Sequence, residues 1–151
     1  MRDADAFEET AFLGLARGSK RDPYRLSLFG HHLAEDERPL ILLPVQGGTV
    51  IVTDRRLLEF RAHLEVHGAW NVKEFQGYTI QRSIDRTAIQ ELVHAIRPLM
   101  DAAGNRRVDD VLVVSTAAGN EEFLISKGPQ PSLQDDDFLA IRDALVRHHA
   151  K

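Results

Sequence analysis

The chain contains no cysteine in its 151 residues. That absence removes disulfide bonds, thiolate metal centres, iron–sulfur clusters and a cysteine nucleophile together, and nothing in the composition calls for an oxidising compartment. Long apolar runs are missing too, since the longest spans only a few residues, far below the ~20 needed to cross a bilayer. The opening residues Met1-Arg2-Asp3-Ala4-Asp5 lack the basic stretch and apolar block of a secretory signal, so the expected location is cytoplasmic. No G-x-x-x-x-G-K-[ST] or G-x-G-x-x-G loop is present to cradle phosphates, and no G-x-S-x-G turn to carry a serine nucleophile. A basic block is also lacking. The formal charge is −4, with 10 Lys+Arg against 12 Asp+Glu in residues 1–75 and 9 against 11 in residues 76–151. Nucleic-acid binding requires concentrated cations that release counterions from phosphates, so no nucleic-acid partner is expected.

What is present is an ordinary globular composition, 43% hydrophobic and 28% charged, in a length suited to one domain, residues 1–151, with one core. Residues 5–15 read as a short N-terminal helix, with Asp5 as N-cap, Glu8 at capping-box spacing, and Gly14 and Gly18 to end it. Residues 16–34 read as a linker region whose polar stretch Arg17 to Pro23 leaves its cations solvated. Leu40-Ile41-Leu42-Leu43, ended by Pro44, and Thr49-Val50-Ile51-Val52-Thr53 form a hairpin across Gln46-Gly47-Gly48.

After Asp54-Arg55-Arg56, apolar residues fall at Leu58, Phe60, Ala62, Leu64 and Val66, with Glu59, Arg61, His63, Glu65 and His67 between them. This is the period of a half-buried strand. A helix competes here, capped by Asp54, with Leu57, Phe60 and Leu64 on one face and Gly68 as stop; the strand is preferred because the alternation runs over ten residues between extended neighbours. Trp70 to Ile80 reads as extended around Gly77, Ser83 to Ile96 as strand or short helix, and Asp101 to Arg107 as a loop. Val108 to Thr116 and Glu121 to Ser126 pair across Ala118-Gly119-Asn120. Beyond Gly128-Pro129-Gln130-Pro131, Ser132 is the expected N-cap of a helix from Leu133 to His149. Asp135, Asp136 and Asp137 complement its dipole, and a stripe of Phe138, Ile141 and Leu145 packs onto the sheet.

His63 and His67 have the spacing that places two imidazoles on one helical face for zinc. On a strand they stand roughly 13 Å apart, and no third ligand is evident. The adjacent pairs His31-His32 and His148-His149 diverge in any regular structure. Glu35-Asp36-Glu37, Asp109-Asp110 and Asp135 to Asp137 are read as turn, loop and helix-start charge. No catalytic residue, metal site or cofactor is therefore assigned. Arg55-Arg56, at the tip of a hairpin, could engage a carboxylate or phosphate, with Lys73, Arg106 and Arg107 as further candidates. The competing reading has Asp54 capping the turn and the arginines lying along the surface or pairing with Glu59.

The series Gly48-Thr49-Val50-Ile51-Val52-Thr53-Asp54-Arg55-Arg56-Leu57-Leu58-Glu59-Phe60, preceded by an acidic-then-apolar strand from Glu35-Asp36-Glu37 to Val45, resembles the hairpin of bacterial pleckstrin-homology-like (PH-like) domains. The resemblance covers about residues 35–149. It implies a mainly β fold, a β-sandwich or partly open barrel of seven strands in two sheets, plugged at one end by a C-terminal amphipathic helix, here with an extra short N-terminal helix. It also implies a non-catalytic binding module that engages a protein or peptide, with self-association through sheet edges or the N-terminal helix as one form of this. Gln46-Gly47-Gly48 lacks the basic residues with which phosphoinositide-binding members grip head groups. The alternatives are peripheral contact with anionic membrane through Arg55, Arg56 and their neighbours, and a small enzyme assisted by a metal at His63 and His67.

Overall fold

A computed structural model describes residues 3–67 and 72–146. The chain is mainly β, with two sheets in an open arrangement and a C-terminal helix. The first sheet runs in the order β1 (Ala11–Phe12), β2 (Pro39–Val45), β3 (Gly48–Thr53), β4 (Arg56–His67) and β5 (Val72–Asp85); the second is β6 (Ile89–Met100), β7 (Arg106–Thr116) and β8 (Gly119–Gly128). Helix α1 spans Pro23–Gly30 and helix α2 Asp135–Val146. From β2 onward every pairing within a sheet is antiparallel and joins consecutive strands. No helix among the described residues is long and apolar enough to cross a membrane.

Alternation in the strands explains the layers. Ile41, Leu43, Val45, Val50, Val52 and Leu57 of the first sheet face Leu92, Leu112, Val114, Phe123 and Ile125 of the second, and Leu133, Ile141 and Leu145 close this core from the helix side. The opposite face of the first sheet is also covered: Leu42, Ile51, Leu58 and Phe60 pack against Phe7, Ala16, Leu26, Phe29 and Leu33. A strand buried on both faces must be apolar at consecutive positions. This accounts for the unbroken runs Leu40 to Leu43 and Val50 to Val52, which single-sided alternation does not. The β2–β3 turn uses Gly47 at φ +78, and at Gly48 a Cβ would stand 2.4 Å from the Phe60 carbonyl oxygen.

The N-terminal expectations are corrected. Residues 5–15 form no α-helix: a 3-10 turn at Ala4–Phe7 is capped by Asp3 rather than Asp5, and the chain then extends into β1. Parallel pairing of Ala11 with Ile41 and Phe12 with Leu42 satisfies the otherwise open edge of β2, and tertiary pairing overrides local helix propensity. β1 stops short of Pro44, so that proline continues β2 where nothing requires its missing N–H, instead of ending the strand. Residues 16–34 are not a linker. Asp22 accepts the N–H groups of Tyr24 and Arg25, Pro23 opens α1, and Leu26 and Phe29 are buried. Asp-Pro is the N-cap and first-turn signature of a helix, and that signal was on the sequence. Its cations are not simply solvated either: Arg17 pairs with buried Asp137, and Arg21 donates to the carbonyls of Phe7 and Thr10 while lying 4.3 Å over the Phe12 ring.

Residues 56–67 are extended, as the alternation predicts, but Leu58 and Phe60 point to the N-terminal layer and not into the space between the sheets. Ser83 to Ile96 divides between β5, a 3-10 turn and β6, and Arg106-Arg107 already belong to β7 rather than to the loop. Asp109 and Asp110 lie within β7, not in a loop. Ser132 does not cap α2. The first helical bond, Phe138 N–H to the Gln134 carbonyl, makes Gln134 the cap, and Asp137 accepts the Gln134 N–H in return. Positions 147–149 of the expected helix, Trp70 and the pair His148-His149 lie outside the described residues.

Candidate functional site

The double-arginine hairpin is where the sequence points first. The Thr53 hydroxyl donates to Glu37 Oε2 at 2.6 Å and accepts the N–H groups of Arg55 and Arg56 at 3.1 Å, which shapes the turn. Arg56 then grips Glu37 with two bonds of 2.9 Å, and its Nη2 also reaches the His32 carbonyl. Burial alone would push the Glu37 carboxyl up. The bonds from Arg56, Thr53 and the Ala34 N–H, together with the Arg56 charge, outweigh it and hold the group at about 2. The same bonding, working against burial, raises Arg56. Arg55 pairs with Asp36, while Asp54 accepts the Arg38 N–H and faces the Arg38 guanidinium at 3.7 Å. The partners are thus Glu37 and Asp36, where the sequence suggested Glu59. Glu37, read as turn charge, is a buried structural anion that ties the α1–β2 connection to the β3–β4 turn.

Glu59 serves another junction. It is 1% exposed although its place in the alternation assigned it to solvent, and it accepts bonds from Arg61 at 2.9 Å and Arg82 at 2.6 Å. Arg82 continues to Glu121 and the Glu122 carbonyl on β8 and lies 3.8 Å over the Phe123 ring, so it bridges the two sheets.

Arg106 and Arg107 sit on the second sheet, on a different hairpin from Arg55 and Arg56. They line an open groove of about 450 Å³ with Pro98, Leu99, Met100 and Pro129. Arg107 donates to the Lys127 carbonyl at 3.4 Å. Lys73 belongs to β5, and its side chain lies outside the described residues, as does that of His67. The five candidate cations therefore do not form one cluster. His63 faces Glu65 at 3.7 Å on extended backbone. Among the described residues no group of three or more metal-ligating side chains occurs.

One arrangement has the side chains of a hydrolytic triad in the wrong order. His94 Nε2 donates to Asp110 Oδ1, and Asp110 Oδ2 accepts the backbone N–H groups of Ser132 and Leu133, each at 2.8 Å. The Ser132 hydroxyl lies 2.9 Å from that of Ser126. A triad needs the histidine between nucleophile and carboxylate. Here the carboxylate sits between the other two and anchors the chain entering α2, with His94 stacked on Phe138 at 6.0 Å.

Sequence reasoning named sheet edges for self-association but not which strands form them. β5 and β6 each end their sheet, and large apolar side chains are exposed along them: Phe75 and Ile80 on β5, and Val93, Ile96, Leu99 and Met100 on β6. Met100 is 66% exposed and Ile96 49%. A usable signal existed. Leu92, Val93, Ile96, Leu99 and Met100 fall on both faces of one strand, more than a single covered face accommodates. Pro98 also marks an edge, where the missing N–H breaks no ladder. Comparison of the chain with protein-family models, with curated proteins and with solved structures finds no match in any of the three.

Proposed function

We propose that the chain is a non-catalytic, PH-like binding module that engages a protein or peptide along β6. The PH-like reading is supported by connectivity: β2 to β5 in order, β6 to β8 in order, then α2, with β1 and the N-terminal layer added to that frame. The observation that carries the binding reading is β6 from Val93 onward, an edge with no second strand partner among the described residues, which presents Val93, Ile96, Leu99 and Met100 to solvent. An edge of this kind offers backbone donors and acceptors for strand addition and apolar side chains to cover, with Pro98 limiting the pairing to part of the strand. A cytoplasmic setting is part of the proposal and rests on the absence of cysteine.

The test compares the chain with an Ile96→Lys/Met100→Lys variant in affinity capture from lysate, with light scattering on both and hydrogen exchange on any complex. The expected result is a partner, or a second copy, that protects β6 amides and is lost in the variant. A strict monomer that retains nothing through β6 ends the proposal. A second reading, contact with anionic membrane, is favoured by the placement of Arg106 and Arg107 beside Leu99 and Met100 on the β6–β7 hairpin. Salt-sensitive flotation with phosphatidylserine vesicles, lost in Arg106→Ala/Arg107→Ala, would select it; flotation lost instead in Arg55→Ala/Arg56→Ala would place the contact at the β3–β4 turn.

A further inference from the structure

The N-terminal layer does not seal completely onto the first sheet. Between them lies a pocket of about 240 Å³, whose apolar walls include Phe12, Leu26, Phe29 and Leu42. Phe29 is 1% exposed and Leu42 7%, so the floor of the pocket belongs to the folded interior while its rim opens to solvent. Lys20 and Arg25 line the same pocket against a single acid, Asp22. One oxygen of Asp22 is already bonded to the N–H groups of Tyr24 and Arg25 at the start of α1. Arg25 is held in place by Tyr78, to whose hydroxyl its Nε donates at 2.7 Å. Leu15, 60% exposed, also borders the pocket, where an apolar ligand would cover it.

The buried threonines provide a second, independent observation. Thr10 and Thr53 both spend their hydroxyls inside the protein, on the Pro39 carbonyl and on Glu37. Thr49 is 6% exposed, lines this pocket, and its hydroxyl has no hydrogen-bond partner among the described residues. That hydroxyl opens into the pocket and keeps its donor and acceptor capacity for a ligand. The pocket therefore combines an apolar body, an unpartnered hydroxyl on a largely buried residue and exposed cations, the composition of a site for a small amphiphilic anion. Its volume lies below the roughly 300–1,000 Å³ of drug-sized sites, which limits the ligand to a small one.

We propose that this pocket, formed by Phe12, Leu26, Phe29, Leu42 and Thr49 with Lys20 and Arg25 beside them, binds a small organic carboxylate with an aromatic or short aliphatic body. The apolar part fills the space between α1 and β2, Thr49 bonds a polar atom of the ligand, and the carboxylate meets Lys20 and Arg25. The site is separate from β6 and does not depend on the binding mode proposed for that edge.

The experiment titrates the full chain with phenylacetate, hexanoate and the neutral analogue phenylacetamide, followed by amide NMR shifts. Saturable shifts at Phe12, Ser19, Lys20 and Thr49 are expected for the two carboxylates, with dissociation constants around 1 mM or tighter. Thr49→Val, which keeps the shape and removes the hydroxyl, weakens binding about fivefold. Lys20→Gln, at an exposed position that the fold does not depend on, weakens it about threefold and removes most of its salt dependence. Three results overturn the proposal: no saturable shift with any probe, as for a pocket that holds only water; phenylacetamide binding as tightly as phenylacetate; or both variants binding like the parent chain.

Discussion

Glu37 shows how one side chain controls a junction. Its carboxylate is nearly inaccessible, yet it stays ionised because Arg56, Thr53 and the Ala34 N–H all bond the charged form. Its folded value of about 2 lies below the ordinary 4.5. The stabilisation is therefore complete above pH 4.5 and is lost as pH falls from there toward 2, up to about 3 kcal/mol over that interval. Glu37→Gln should destabilise the chain at neutral pH by about 3 kcal/mol, since Arg56 then keeps a half-buried charge without its counterion. In urea titrations repeated between pH 2 and pH 7, the variant should show a smaller loss of stability on acidification than the parent, and parallel curves would remove Glu37 from this role. The sequence displayed Thr53, Asp54, Arg55 and Arg56 as a turn with charge, but the pairing to Glu37 spans 19 positions along the chain, and no local pattern encodes it.

Element by element, β7 presents adjacent aspartates with opposite accounts. Asp110 is fully buried and satisfied: His94 bonds one oxygen, and the other accepts the N–H groups of Ser132 and Leu133, fixing where α2 starts. Asp109, on the other face, has a buried Oδ1 without a hydrogen-bond partner among the described residues. Asp110→Ala should cost about 3 kcal/mol, because two backbone donors lose their acceptor, and amide exchange at Ser132 and Leu133 should quicken selectively. Asp109→Val should be neutral or stabilising by about 1 kcal/mol in equilibrium denaturation, since it removes an unsatisfied oxygen and puts a β-branched residue in a central strand. A substantial loss in the Asp109 variant would show that its attraction for Arg97, its cross-strand neighbour on β6, outweighs the unpaired atom. The strands themselves were legible where apolar and polar residues alternate or β-branched residues cluster around a Gly turn, as at Thr49 to Thr53 and Val108 to Thr116. Residues 5–15 failed because an acidic, capping-box-like start is also compatible with a 3-10 turn followed by a strand, and the open edge of β2 decided between them.

The whole molecule has three layers: the N-terminal segment with α1, the first sheet, and the second sheet with α2. Because Leu42, Ile51, Leu58 and Phe60 are covered, among the described residues, by the N-terminal layer, that layer belongs to the core and should unfold with it. Phe29→Ala, at a 1% exposed position that contacts Phe60 and Tyr78, should cost about 3–5 kcal/mol. Far-ultraviolet circular dichroism and the near-ultraviolet tyrosine signal should still report one coincident transition. Two separated transitions would show the layer to be an independent appendage. Local periodicity and turn chemistry by themselves determined that this chain is mainly extended and that a helix follows the last strand, and they favoured a strand over a helix at residues 56–67, because those properties depend on neighbours within a few positions. Tertiary structure alone decided that both faces of the first sheet are covered, which anion each arginine meets, and which strands keep a free edge. Those outcomes join residues far apart in the chain, and one-dimensional order carries no distance between them.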